Sequence, residues 1–188
     1  METKVKRGNW EVSLYGIGYT EQEVKRAAPG GEGWVMDYFD REAVGAYLQH
    51  FDSIFTHTAH PVEPRLVYHD SYEVYRSDWS SGFPEAFRKQ WGYNISDYLH
   101  VLEDSTHEKH GQILHDLRAT LSGLLYSEFA GNWTRWSREQ NKLTRYQAHG
   151  SPGNLLDLYA LADIPETESF GCSEFDIPGL SCDPDYRA

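Results

Sequence analysis

The chain has 188 residues and a formal net charge of −12, from 17 lysines and arginines against 29 aspartates and glutamates. This length is typical of one domain or of part of a larger one. The acidic balance argues against a nucleic-acid partner, and no run of about 18 apolar residues is present to span a membrane. Residues 1–9 are polar and carry no signal-peptide pattern, so the sequence leaves the cellular compartment open.

The first part of the chain alternates a predicted strand, a loop and a helix. Trp10, Val12 and Leu14 alternate with polar residues, which predicts a strand over residues 10–18. A polar, glycine-rich loop follows. Asp40 is typical of a helix N-cap, and apolar residues recur at helical spacing from there to about Phe55.

The middle of the chain is mainly helical. A short β-type run covers residues 65–70. Helices are predicted over residues 83–91 and 96–103, and then over a long segment from 108 to 141 that Gly131 is expected to bend.

The last part contains two more predicted strands. Residues 143–150 read as a strand ending in a glycine turn, and residues 154–161 as a short apolar helix. A final strand is predicted over residues 162–168, although Pro165 weakens it. Residues 169–188 show no periodicity and are expected to form an irregular tail.

Four strands alternating with helices indicate an α/β fold with parallel strands. A doubly wound nucleotide-binding sheet is disfavoured, because Gly16-Ile17-Gly18 lacks the third glycine of a phosphate-binding turn. A complete (β/α)8 TIM-type barrel needs eight units and about 250 residues. The sequence therefore predicts a partial barrel of about four βα units, with residues 1–188 forming one incomplete catalytic-barrel segment.

In such barrels the reactive groups lie at the carboxyl ends of the strands. Polar side chains follow three of the predicted strands, with Trp79 nearby: these are His69, Asp70, Glu73, Gln147, His149, Glu166 and Glu168. Paired carboxylates suit glycoside hydrolysis, which uses one carboxylic acid and one carboxylate. Aromatic rings offer flat apolar faces to a sugar and can raise the pKa of a carboxyl group.

Other roles for these residues stay open. With 29 acidic residues in the chain, some of the carboxylates are expected to be solvated surface charges. Asp70 with Glu73, or Glu166 with Glu168, would also suit Ca²⁺, which prefers oxygen ligands. A non-catalytic carbohydrate-binding protein and a metal-dependent hydrolase built on His69, Asp70 and His149 are further alternatives.

Three longer motifs carry a family resemblance. Residues 69–75 (HDSYEVY), 146–159 (YQAHGSPGNLLDLY) and 163–168 (DIPETE) resemble glycoside hydrolase family 106, the α-L-rhamnosidases. The Gly18-Tyr19-Thr20 turn, Pro29 and residues 40–44 (DREAV) agree with it, so the resemblance runs from about residue 10 to residue 186.

The resemblance implies a catalytic (β/α)8 barrel in a large multidomain enzyme, often periplasmic or secreted, that hydrolyses terminal α-L-rhamnosyl residues with inversion. Calcium dependence is implied for some members. Glu73 matches the family's general acid and Asp70 its acidic neighbour, while Glu168, and next Glu166, are the candidates for the base. Gln147 and His149 would line the sugar pocket or lie near a metal. Because the resemblance places the chain inside a barrel, we expect the isolated chain to be marginally stable or inactive.

Overall fold

The computed structural model describes residues 7–10, 12–57 and 64–167, with the backbone alone for residues 56 and 57. One sheet contains three strands, β1 (Leu66–His69), β2 (Leu143–Tyr146) and β3 (Ile164–Pro165), in that spatial order. Both strand pairs are parallel. Helices lie between successive strands along the chain, so the predicted parallel βα arrangement is confirmed for these three strands, and it is consistent with part of a barrel.

The prediction of a strand over residues 10–18 is wrong. Among its described residues none is in a strand, and Val12, Leu14 and Ile17 are 88%, 96% and 78% exposed. Alternating apolar residues favour a strand when one face of that strand is buried, and here neither face is covered. The described part of the segment is instead a loop, followed by an isolated antiparallel bridge between Glu23 and Trp34.

The helix α1 (Arg41–His57) begins where the sequence predicts. Asp40 Oδ1 accepts hydrogen bonds from the backbone N–H groups of Glu42 (2.7 Å) and Ala43 (3.1 Å). These bonds satisfy two of the free N–H groups of the first turn. The bond from Ala43 is the main reason that the pKa of Asp40 is lowered.

The helix α2 (Phe83–Trp91) has the predicted bounds and ends at Gly92, whose φ of +81° lies in the left-handed region. The next predicted helix is divided. Residues Ile95–Tyr98 form a 3₁₀ turn and Leu99–Glu103 form α3. Tyr98 separates the two because its φ of −124° departs from helical geometry.

The long predicted helix is α4 (His110–Leu124) and α5 (Gly131–Glu139), joined by a π-helical segment (Leu125–Ala130). Gly131, where the sequence predicts a bend, is the first residue of α5, directly after this segment. A Cβ atom at Gly131 would lie 3.1 Å from the carbonyl oxygen of Tyr126, which explains why glycine suits this position. Phe129 lies in the π segment, and the centre of its ring is 4.7 Å from the centre of the His69 ring on β1.

The two faces of the sheet differ in their surroundings. Register pairs His69 with Tyr146, and the rings of both contact Phe129 and Trp133 from the π segment and α5. Helices therefore cover this face. The opposite face carries Tyr68, which is 43% exposed, paired in register with the half-buried Arg145.

The last strand has two residues, fewer than predicted, and its final residue, Pro165, has no N–H to donate. Asp163 fixes it beside β2: its Oδ2 accepts from the backbone N–H (2.8 Å) and the hydroxyl (2.9 Å) of Thr144. Before it, α6 (Leu155–Leu161) is capped by Asn154. The predicted tail, residues 169–188, lies outside the described residues. Among the helices that the structure describes, none has the length and apolarity needed to cross a membrane.

Candidate active site

The carboxyl ends of the three strands meet at one edge of the sheet. The N–H of Gln147 donates to the carbonyl of His69 (2.9 Å), and the N–H of Glu166 donates to the carbonyl of Tyr146 (2.9 Å). The backbone ladder therefore continues one residue beyond β2 and β3. It brings the predicted positions Asp70, Gln147 and Glu166 to neighbouring places at this edge.

Tyr68 joins two of the predicted carboxylates. Its hydroxyl lies 3.1 Å from Asp70 Oδ1 and 3.2 Å from Glu166 Oε1. Partial burial, and then the two carboxylates, raise the pKa of Tyr68 to about 12. The phenol therefore keeps its hydrogen at neutral pH and can donate it to either carboxylate.

Arg145 completes this group of side chains. Its guanidinium forms an ion pair with Glu166 through Oε2 and lies 4.9 Å above the centre of the Tyr68 ring. An arginine held on an aromatic face is attracted by the ring's negative surface. Tyr68, Asp70, Arg145 and Glu166 thus form a connected cluster, which we call the rim cluster.

Glu73 lies on the loop after β1 and makes its contacts outside the rim cluster. Its Oε1 is paired with Lys25 Nζ at 2.7 Å, with both side chains about two-fifths exposed. Gln22 fixes the backbone on either side, since its Nε2 donates to the Glu73 carbonyl (2.6 Å) and its Oε1 accepts from the Tyr75 N–H (2.8 Å). The N-terminal loop therefore holds the segment that carries Glu73.

His69 points to the helix-covered face of the sheet. Its ring packs edge-on against Tyr38 and Tyr146 and is tilted against Phe129. Nδ1 lies 2.7 Å from the carbonyl oxygen of Asp70, so Nδ1 carries the hydrogen. Burial lowers the pKa of His69 to about 4. The ring is therefore neutral at neutral pH, and it packs beneath the end of β1 on the helix-covered face.

Gln147 and His149 belong to the turn after β2. Gln147 is 3% exposed, and its Oε1 meets no hydrogen-bond donor among the described residues. The carbonyl of His149 accepts from the Tyr72 N–H at 2.8 Å, which ties this turn to the loop after β1. Gly150 permits the approach: its φ is +79°, and a Cβ atom there would lie 2.6 Å from the carbonyl oxygen of Tyr72.

Of the two remaining predicted positions, the structure describes Trp79, which lies apart from this group. Trp79 is half-buried, and the centre of its ring is 4.9 Å from the centre of the Phe83 ring at the start of α2. Trp79 therefore packs against the hydrophobic core. Glu168 lies outside the described residues. The structure thus links Asp70 to Glu166 through the Tyr68 hydroxyl, and it places Glu73 on a neighbouring loop.

The described residues do not fit a calcium site. Among them, no three His, Cys, Asp or Glu side chains lie together as a metal site would require. The carboxylate of Glu166 is paired with Arg145, and this positive charge would repel a divalent cation bound beside it. The calcium dependence that the family implies stays a prediction.

Sequence reasoning missed four residues of this region: Gln22, Lys25, Tyr68 and Arg145. Tyr68 and Arg145 each stand one residue before the end of an observed strand, β1 and β2, but the predicted strands ran on to residues 70 and 150 and did not mark these positions. Gln22 and Lys25 gave no signal, since they are 51 and 48 residues from the groups they bind.

Comparisons with known proteins found a family model, a solved structure and a curated relative. The model of glycoside hydrolase family 106, described as alpha-L-rhamnosidase, matches residues 1–173. A rhamnosidase structure from Novosphingobium sp. PP1Y superposes with a TM-score of 0.64 at 26% identity, covering 75% of this chain and 14% of that one.

A relative from Formosa agariphila, named "Putative beta-glucuronidase", is 26% identical over 189 residues, covering 95% of this chain and 16% of its own length. The chain thus spans about one-sixth of that relative and a similar share of the solved rhamnosidase. The family model matches most of the chain, and the structural match is to a rhamnosidase. This chain therefore belongs to glycoside hydrolase family 106, the α-L-rhamnosidase family.

Proposed function

We propose that this chain supplies one side of the active site of a glycoside hydrolase that removes terminal α-L-rhamnosyl residues. The observation that carries the proposal is the rim cluster. In it, carboxylates from two strand ends, Asp70 and Glu166, meet at the hydroxyl of Tyr68 on the sheet face that helices leave open. In βα folds of this kind, reactive groups gather at the carboxyl ends of strands.

Glu73 is the proposed general acid. It would protonate the oxygen that joins rhamnose to the leaving group, and the bond between this oxygen and the anomeric carbon would then break with its electron pair going to oxygen. The Lys25 ammonium now paired with Glu73 must release it before Glu73 can carry the proton. Substrate entering beside the exposed pair would displace Lys25.

The second carboxylate activates the attacking water. Both oxygens of Glu166 have partners, Oε1 with Tyr68 and Oε2 with Arg145, which leaves little capacity to accept a proton from water. Glu168, two residues further along the chain, is therefore the first candidate for the base, and Glu166 the second. In the proposed site Asp70, Gln147 and His149 bind the sugar hydroxyl groups.

The test compares leaving groups, and it is carried out on the whole enzyme whose active site this chain is proposed to help form. We expect Glu73→Gln to lower kcat by roughly 10²- to 10⁴-fold on methyl α-L-rhamnoside, because methanol leaves only when protonated. The loss should be much smaller on a dinitrophenyl α-L-rhamnoside, whose leaving group needs no proton. Glu85→Gln is the matched control, since Glu85 is an exposed, arginine-paired glutamate on α2.

Glu168→Gln and Glu166→Gln distinguish the two base candidates, because loss of the base slows both substrates alike. The anomer of the released rhamnose, observed by NMR, reports inversion or retention. Inversion requires carboxyl groups about 6.5–9.5 Å apart. Rhamnoside binding without turnover, insensitive to Glu73→Gln, would contradict the proposal and indicate a non-catalytic carbohydrate-binding protein.

A further inference from the structure

An open cleft lies between the N-terminal loop and the segment after Glu73. Its volume is about 800 Å³, and it is lined by residues 18–20 and 22–25 on one side and by Tyr75 and Arg76 on the other. Ligand sites for small molecules typically have volumes of about 300–1,000 Å³. The cleft is large enough to hold one sugar ring with its substituents.

The cleft adjoins the proposed general acid. Lys25, which lines it, contacts the Glu73 carboxylate at 2.7 Å, and Gln22, which also lines it, bonds the backbone at Glu73 and Tyr75. A general acid of a glycosidase stands beside the glycosidic oxygen. When the rhamnosyl ring lies over the rim cluster, the group attached to that oxygen can extend into this cleft.

The side chains of the cleft suit a sugar. Tyr19 and Tyr75 are 97% and 58% exposed, and both offer ring faces on which the C–H surface of a pyranose can pack. Arg76 is exposed and forms no ion pair with any residue that the structure describes, so its five N–H donors are available for hydroxyl or carboxylate oxygens.

Backbone strain is concentrated around the same cleft. Within the described part of the chain, four residues other than glycine have a positive φ, and three of them flank the cleft: Glu21 (+50°), Arg26 (+54°) and Arg76 (+59°). Side chains reach this conformation only at a cost in free energy, and such residues cluster at sites where a loop is held ready for a ligand. The contacts of Gln22 hold these segments in place.

We propose that this cleft is the subsite for the leaving-group sugar, with Tyr75 as the stacking surface and Arg76 as the polar contact. This inference rests on the proposed function, because Glu73 must be the acid for the cleft to lie on the leaving-group side. The reaction itself is unchanged: the leaving group departs as an alcohol after taking the proton of Glu73, and water adds to the anomeric carbon.

Saturation-transfer NMR with an α-L-rhamnosyl-(1→4)-glucoside tests the proposal, since it reports each sugar ring separately. In the unmodified whole enzyme that includes this chain, both rings should receive saturation. In Tyr75→Ala and Arg76→Gln, the glucose ring should lose most of its signal while the rhamnose ring keeps its own. The ratio of kcat/KM on this disaccharide to that on methyl α-L-rhamnoside should fall roughly tenfold.

Tyr126→Ala and Arg118→Gln are the controls, because both residues are exposed and lie outside the cleft. Thermal melting verifies that each variant is folded. If the glucose signal is unchanged in Tyr75→Ala and Arg76→Gln, the proposed subsite is wrong, while the proposed function still stands. A signal from glucose without one from rhamnose, lost in Tyr75→Ala, contradicts the rhamnosidase function but supports a sugar site in the cleft. No signal from either ring overturns both.

Discussion

Tyr68 and Glu166 lie on neighbouring parts of the sheet edge with 3.2 Å between the phenol oxygen and Glu166 Oε1. The same phenol lies 3.1 Å from Asp70 Oδ1. A hydroxyl has a single hydrogen, so Tyr68 donates to one carboxylate at a time. Tyr68, itself held under Arg145, thus links the two carboxylates, while Arg145 also pairs with Glu166 and the Ser71 N–H also donates to Asp70 Oδ1 at 2.8 Å.

Replacing Tyr68 by phenylalanine should lower kcat more than tenfold while leaving the fold intact. The ring under Arg145 is kept, and only the hydroxyl is lost. A hydrogen bond to a charged group contributes about 1.5–3 kcal/mol, and about 1.4 kcal/mol corresponds to a tenfold change in rate. Hydrolysis of methyl α-L-rhamnoside measures the effect, and Tyr47→Phe on α1 is the control. Full activity in Tyr68→Phe would exclude a role for this hydroxyl.

Gly150→Ala should destabilise the protein more than Gly92→Ala does. Both glycines have φ near +80°, so alanine costs about 1–2 kcal/mol at either position. A Cβ atom at Gly92 meets no other atom within 4 Å, whereas at Gly150 it would lie 2.6 Å from the Tyr72 carbonyl oxygen. Urea unfolding measures the difference between the two variants. Equal losses would show that the turn after β2 can move away from Tyr72.

Asp40→Ala should lower the free energy of unfolding by about 1 kcal/mol, because two N–H groups at the start of α1 lose their acceptor. Asp40→Asn keeps an acceptor oxygen and should retain most of the stability. The pKa of Asp40 is lowered in the folded state. Its charged form therefore contributes above the ordinary pKa, and that contribution is lost as the pH falls through the folded value. Thermal melts of the three proteins at neutral and acidic pH test both statements.

His69 should make the protein less stable at acidic pH. Burial lowers its pKa from 6.5 to about 4, so between these values the unfolded chain binds a proton that the folded chain does not. Stability then rises with pH across this window, by up to about 3 kcal/mol. His69→Phe should remove this contribution. Urea unfolding of both proteins at pH 4, 5.5 and 7 measures it, and parallel pH curves would contradict the burial of His69.

Local signals in the sequence were sufficient for much of the fold. The N-cap at Asp40, the bounds of α2 and the meeting of Asp70 with Glu166 all follow from residues close together in the chain or from the parallel order of the strands. The strand predicted over residues 10–18 failed because alternation was present without a partner surface. The π segment was not predicted, because a helix-period pattern does not reveal one inserted residue.

The arrangement around Glu73 depends on contacts between distant segments. Lys25 and Gln22 reach it from an irregular loop, and neither periodicity nor composition fixes where such a loop lies. The face shared by Tyr68 and Arg145 depends on the register between β1 and β2. Register is set by the packing of helices behind the sheet, which a local pattern does not determine.

The unequal covering of the sheet separates two kinds of mutation. Thr144 and Tyr146, fully buried behind the sheet, are positions where a change of volume is expected to affect folding. Tyr68 and Arg145 stand among exposed neighbours, so a substitution there alters the chemistry of the rim with little effect on the core. A protein engineer who redesigns the open face should therefore need few compensating changes in the helices, whereas changes at Thr144 or Tyr146 would require them.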